Sequence, residues 1–280
     1  MYVRESDVLM LTSRATASRM MAWLKKYIFF NDDVQIKDVT ESDGMLSLYG
    51  SRSLDLIQLL IGVSLDSGVE PLGGHNFPMN PAKASSPLPF SSLPLHHWQS
   101  VQLKETEVLV ARADPIGHMG FHLMVESAKL PELRSILIEA GATSISEETY
   151  QVLRVEAGQP EFGRELIDET IPLEANLWDD VSFTKGCYTG QEIIARMESR
   201  QRLAKQLIGL RLTTEVSLPA KIVVESNEVG HVTSVVHSPD RGWLGLGYMK
   251  PSLAAEDRSV HVQTGDRLIE AQVCALPFEF

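Results

Sequence analysis

Apolar positions in the first 160 residues recur at helical and strand spacings in alternation, whereas beyond residue 203 only the two-residue period of strands remains. Residues 8–11 read as a strand. Ala17, Met20, Met21, Leu24, Tyr27 and Ile28 then follow the i, i+3, i+4, i+7 rule and predict a helix capped by Thr12 or Ser13. Residues 34–36 and 45–49 are strand candidates with Asp43-Gly44 as the turn between them. A second helix over 53–61 carries Leu54, Ile57, Leu60 and Ile61 on one face. The pattern stops from Pro71 to Trp98, where six of the fourteen prolines fall, and the stretch reads as a loop or insertion.

Two more strands, 107–111 and 121–125, precede a helix with Pro131 in its first turn, Leu130, Leu133, Leu137 and Ala140 as its stripe and Gly141 as its stop. Ser144 and Glu147 have capping-box spacing and launch a helix that runs to Gly158. Six short alternating runs between 207 and 273, separated by Asn227, Pro239 to Gly242 and Gly265-Asp266, predict a small barrel. The fold class is therefore α+β: two ferredoxin-like-flavoured α+β domains, the first lacking its opening strands, and a C-terminal β-barrel. The expected limits are 1–52, 53–202 and 203–280.

Length allows two or three modest domains, each with its own core. A net charge of −12 without a dense basic cluster argues against a nucleic-acid partner. Two cysteines far apart suit a reducing compartment, and neither a signal-like apolar start nor a run of about 18 apolar residues is present, so the chain reads as cytoplasmic with no membrane partner.

The densest candidate chemistry lies in Lys185-Gly186-Cys187-Tyr188-Thr189-Gly190-Gln191-Glu192. Thr189 and Glu192 are spaced as a capping box, which puts a helix start near Gly190 and Cys187 beside its positive end, two residues from the Lys185 ammonium; both effects favour a thiolate. The bland alternative is a small buried hydrophobe. That is the reading for Cys274, which sits in an apolar strand-like run. His75, His96 and His97 fall in the proline-rich stretch, and His118 and His122 near a strand; no metal site is expected of them. Glu156 stands near a helix C-terminus, where the dipole disfavours an acid, so a partner is expected. An ion pair with Arg154 is one such partner.

The string KGCYTGQE, with Leu153-Arg154-Val155-Glu156-Ala157-Gly158 upstream and Gly230-His231-Val232-Thr233-Ser234 downstream, resembles the folate-binding YgfZ family, relatives of the glycine cleavage T-protein (aminomethyltransferase) that include mitochondrial iron–sulfur assembly factors. The resemblance runs from about Val8 to Phe278. It implies domains arranged around a central folate-sized opening, non-covalent tetrahydrofolate as cofactor, and iron–sulfur proteins or cluster assembly factors as partners. It places the pterin on Glu156, with Arg154, Asn176, Tyr188, Gln191 and Arg200 as further folate contacts and with Cys187 and Lys185 as the reactive pair. Arg196, Arg202 and Lys205 extend the basic run toward a glutamate tail, although a solvated helix face accounts for any one of them. The catalytic acid of true aminomethyltransferases has no counterpart in the chain, and the resemblance explains that by a shorter N-terminal end. The function expected is thus an accessory role in iron–sulfur enzyme assembly or repair, with aminomethyl transfer as the alternative.

Overall fold

A computed structural model describes residues 1–4, 7–13, 16–62, 89–103, 105–114, 116, 119–200 and 203–278. The chain divides into two compact units, Met1–Ser144 and Ile145–Phe280. Much of the proline-rich stretch, with His75, and also His118 and Arg202, lies outside the described residues.

The first unit runs β1 (Tyr2–Val3), β2 (Val8–Leu9), α1 (Ala17–Lys25), β3 (Asp43–Tyr49), α2 (Ser53–Gly62), β4 (Trp98–Leu103), β5 (Thr106–Ala113), β6 (Gly120–Glu126) and α3 (Leu130–Glu139). Its four-stranded sheet has the order β3-β6-β5-β4, every neighbouring pair antiparallel. Alternation decides the faces: Leu48, Phe121, Leu123, Val110 and Val101 pack with Leu56 and Ile57 of α2 and Leu133 and Leu137 of α3. Each such side chain contributes about 1.5–3 kcal/mol by leaving water. The opposite face holds Trp98, Ala111 and Met124 under Tyr2 and Leu9 of the small β1–β2 ladder.

Four sequence expectations change here. Residues 34–36 form no strand, and Asp43-Gly44 is the start of β3 rather than a turn, because Asp43 pairs with Glu126 and Gly44 with Val125. β4 was not anticipated, although Trp98, Val101 and Leu103 are all buried. α1 forms but spans only Ala17–Lys25, so Tyr27 and Ile28 lie past its end and its N-cap is Thr16 rather than Thr12 or Ser13; none of its residues is fully buried.

His122, on β6, joins its Nδ1 to the Tyr2 hydroxyl at 3.0 Å. Burial, with His96 and the N-terminal amine adding like charge, lowers its pKa below the ordinary 6.5, and burial raises the Tyr2 phenol to about 12. A histidine held neutral in the fold but protonated in the unfolded chain makes unfolding take up protons as pH falls through 6.5, so stability drops there. Thermal denaturation between neutral and mildly acid pH should therefore show the first unit losing stability, and His122→Gln should flatten that slope.

The second unit carries α4 (Glu147–Glu156), α5 (Gln191–Arg200) and β7 (Gln206–Leu212), β8 (Ala220–Val224), β9 (Asn227–Ser238), β10 (Gly242–Met249), β11 (Ser259–Thr264) and β12 (Arg267–Cys274). All six anticipated strands form and close into an antiparallel barrel of order β10-β7-β12-β11-β8-β9. Leu210, Ile222, Val260, Val262 and Val273 fill its core. The cap of α4 is Ser146, whose hydroxyl accepts from Thr149 N at 3.2 Å, two residues later than the capping box predicts; Ser144 instead accepts from Arg134 Nη2 at 3.0 Å. Among the described residues no helix is long and apolar enough to cross a membrane.

Candidate functional site

The candidate site lies in the second unit and is built outward from α4. Arg154 is 2% exposed and Glu165 is fully buried, and they form an ion pair at 3.2 Å. Glu165 is saturated: Oε1 accepts from the Thr233 and Ser234 hydroxyls, each at 2.6 Å, and Oε2 from Arg154 Nη1 and from Glu161 N at 3.0 Å. Arg154 is engaged equally fully, donating to Gln151 Oε1 at 2.6 Å, the Gln159 carbonyl at 3.1 Å and Ser234 Oγ at 2.8 Å. The Tyr248 hydroxyl donates to the Glu165 carbonyl at 3.0 Å, and burial raises that phenol's pKa so that it stays a donor. The two sequence segments around Arg154 and Ser234 are thus joined by one buried network, which pins α4 to β9 and β10.

Two glycines complete the joint. Gly158, at φ +67°, ends α4, and a Cβ there would press on Leu276. At Gly230 a Cβ would run into the carbonyl oxygen of Tyr248, so only hydrogen lets β9 close on β10.

Arg154, expected as a folate contact, is instead buried, with its guanidinium engaged by Glu165, Glu161, Gln151, Gln159 and Ser234, and its role in this structure is to hold the network together. The ion pair envisaged between Arg154 and Glu156 does not form. Glu165, the actual partner, was missed, because a lone glutamate in a loop carries no sequence signal of burial. Glu156 is left as the last residue of α4, half-buried, its carbonyl accepting from Phe278 N at 2.9 Å. Its carboxylate has no partner among the described residues, while Glu161, Glu165 and Glu174 nearby in sequence all do. A carboxylate on a held backbone, without a partner among the described residues, fits a side-by-side pair of N–H donors such as a pterin edge presents.

The Cys187 loop is exposed, and so is the thiol. Gly190, at φ +93°, immediately precedes the first helical residue, and its carbonyl accepts from Ile194 N at 3.3 Å, so Thr189 stands one residue too early for the expected capping box. Lys185 places Nζ 4.4 Å from the centroid of the Tyr188 ring, a cation–π contact spanning Cys187. Gln191 opens α5, half-buried, its N–H donated to the Tyr188 carbonyl at 3.2 Å. Arg200 closes the helix, and its side chain lies outside those described.

A cavity of about 520 Å³ opens between the end of α4, the segment after it and the ends of β7 and β12, lined among others by Gln159, Asn176, Trp178, Glu256 and Cys274. Asn176, at φ +61°, donates Nδ2 to the Leu207 carbonyl at 3.1 Å and so holds the wall. Cys274, expected in the core, is half-buried: it packs against the core cluster of Leu207, Leu246 and Phe278 and also lines this cavity, and burial raises its thiol pKa. The lining includes neither Glu156 nor Cys187, although Ala157 and Gly158, which follow Glu156, belong to it. Among the described residues no three His, Cys, Asp or Glu side chains stand together to hold a metal ion.

Residues 205–278 match the glycine cleavage T-protein C-terminal barrel domain. Over nearly its whole length the chain is similar to a chloroplastic protein of Arabidopsis thaliana named only as a transferase, with 29% identity over 93% of this chain and 55% of that protein. It is also similar to the aminomethyltransferase of Moorella thermoacetica, with 26% identity over 98% of this chain and 69% of that enzyme. The crystal structure of glycine cleavage system aminomethyltransferase T from Bartonella henselae has the same fold, with a TM-score of 0.71 at 19% identity, covering 94% of this chain and 66% of that one. The chain thus spans little more than half of the Arabidopsis relative and about two thirds of these two aminomethyltransferases.

Proposed function

We propose that the protein binds a reduced folate, tetrahydrofolate, non-covalently, with Glu156 holding the pterin, and that it serves as an accessory factor in the assembly or repair of iron–sulfur enzymes in the manner of the YgfZ family. One observation carries the folate half: Glu156 is fixed at the end of a pinned helix with its carboxylate unpartnered among the described residues. Similarity to aminomethyltransferases supports the same ligand. Bound there, the folate would supply a nitrogen pair able to carry a one-carbon unit; the chain's own part is to hold and orient the ring.

The accessory half rests on Cys187, exposed in a loop that presents it to a partner. A cluster normally takes four protein ligands, so one thiolate can serve only as a transient ligand or exchange partner, the remaining ligands coming from an iron–sulfur client or assembly factor. A reducing, cytoplasmic setting suits two free cysteines. The reading competes with direct aminomethyl transfer, which the similarity over nearly the full chain favours and which predicts measurable tetrahydrofolate turnover by the purified protein.

Calorimetric titration with tetrahydrofolate tests the folate half. Removing one charge-assisted bond at Glu156 is worth about 1.5–3 kcal/mol, so Glu156→Gln should weaken binding by about ten- to a hundredfold without lowering stability. Equal affinity of the two proteins would overturn the assignment.

A further inference from the structure

The first unit displays two complementary surfaces that its own fold leaves partly uncovered. One is α1 with the five residues after it: none of the helix is buried, and Trp23, Tyr27, Phe29 and Phe30 are 53%, 60%, 66% and 103% exposed. Residues 17–30 carry Arg19, Lys25 and Lys26 and no acid. The other is a groove of about 1080 Å³ on the sheet face away from α2 and α3, beside the β1–β2 ladder, with Met45 and Leu109 as its accessible apolar floor and buried Trp98 and Met124 beneath them. Acids crowd it: Asp38, Glu41, Asp43, Glu105, Glu107 and Glu126 all line it, and Asp43 and Glu126 are direct cross-strand partners at one end. Of the bases in the lining, Arg4 is paired with Asp7 and Lys129 with Glu132.

We propose that this groove receives α1 of a second copy of the chain, forming an isologous dimer in which each basic, aromatic helix lies in the acidic, apolar groove of the other. Charge selects the occupant. The groove is apolar at its floor and acidic at its rim, which fits a cationic amphipathic helix, and the unit itself carries such a helix without a core to bury it in. Connectivity supports the symmetry. Ala17 and Ser18, the first turn of α1, belong to the groove's own lining, so helix and groove form one continuous surface. A two-fold axis at that edge lays each element onto its counterpart, and every contact is made twice. Met20 and Trp23 of α1 and Tyr27 just past its end, all exposed within their own chain, then have a burial site, which accounts for their helical spacing.

Sedimentation velocity on the full chain tests this. Expected are a dimer at low salt and at least about tenfold weaker association near 1 M salt, where screening acts within about 3 Å. The charge-reversed helix, Lys25→Glu with Lys26→Glu, should be monomeric, and so should the charge-reversed groove, Glu105→Lys with Glu107→Lys and Glu126→Lys. Mixed in equal amounts, the two variants should associate again, because each helix then meets a groove of opposite sign. Circular dichroism confirms that each variant is folded before it is compared. A wild-type chain that stays monomeric at low salt, association indifferent to both reversals, or two folded variants that fail to associate on mixing would each overturn the proposal.

Discussion

Arg154→Ala is expected to cost the second unit about 3–5 kcal/mol, because it strands the carboxylate of Glu165 without its counter-ion in a fully buried site. The loss should appear as a lower denaturant midpoint with an unchanged slope. Glu165→Ala should be similarly damaging, since it removes the counter-ion of the buried guanidinium and the acceptor of the Ser234 hydroxyl and the Glu161 amide. Replacing both charges with apolar residues of similar volume, Arg154→Met with Glu165→Leu, should be milder than either truncation, because no uncompensated ion remains. If Arg154→Ala unfolds at the wild-type midpoint, the network is not what holds α4 to the barrel, and Glu156 loses the rigid support assigned to it.

Cys187→Ser is expected to abolish the support of iron–sulfur enzyme activity in cells while leaving tetrahydrofolate affinity and thermal stability at wild-type values. The thiol is exposed and makes no packing contact with the core clusters, so its removal leaves no cavity. The chemical change is the loss of a soft thiolate ligand and nucleophile, which a hydroxyl does not replace. Complementation of a strain lacking the protein, scored by the activity of an iron–sulfur enzyme, reads out the effect. Full rescue by the serine variant would transfer the function to another part of the molecule. Lys185→Met provides a graded companion: it removes the cation from the Tyr188 ring and is expected to reduce rescue without abolishing it.

Legibility in the sequence followed the range over which each interaction acts. The barrel strands were readable because alternation and Gly, Asn and Asp turns are local signals, and all six formed. α2 and α3 were readable for the same reason, their stripes being set by spacing alone. β4 carries buried Trp98, Val101 and Leu103, but the prolines and histidines before it make its alternation look like the end of a loop. For α1 the period identifies a helix with one apolar side and says nothing of what covers that side. Glu165 is the sharpest case: its partners come from positions 154, 161, 233 and 234, and Tyr248 binds its carbonyl, so only the closed barrel brings them together. The same holds for Arg154: pairing with a nearby acid is legible in the sequence, but that the acids are Glu165 and Glu161 rather than Glu156 is not. Cys274 reads as core from its apolar neighbours and does pack against that core, but the cavity that also reaches it is made by segments around 158, 176 and 207 and has no local signal.

The central claim is that a pterin edge rests on the carboxylate of Glu156, and a reduced pterin without its glutamate tail isolates that contact. Titrated calorimetrically into the wild-type protein, tetrahydropterin should bind saturably and compete with tetrahydrofolate, and Glu156→Gln should lose the heat of binding. Tetrahydropterin that fails to bind the wild type, or binds the glutamine variant equally well, would contradict the account.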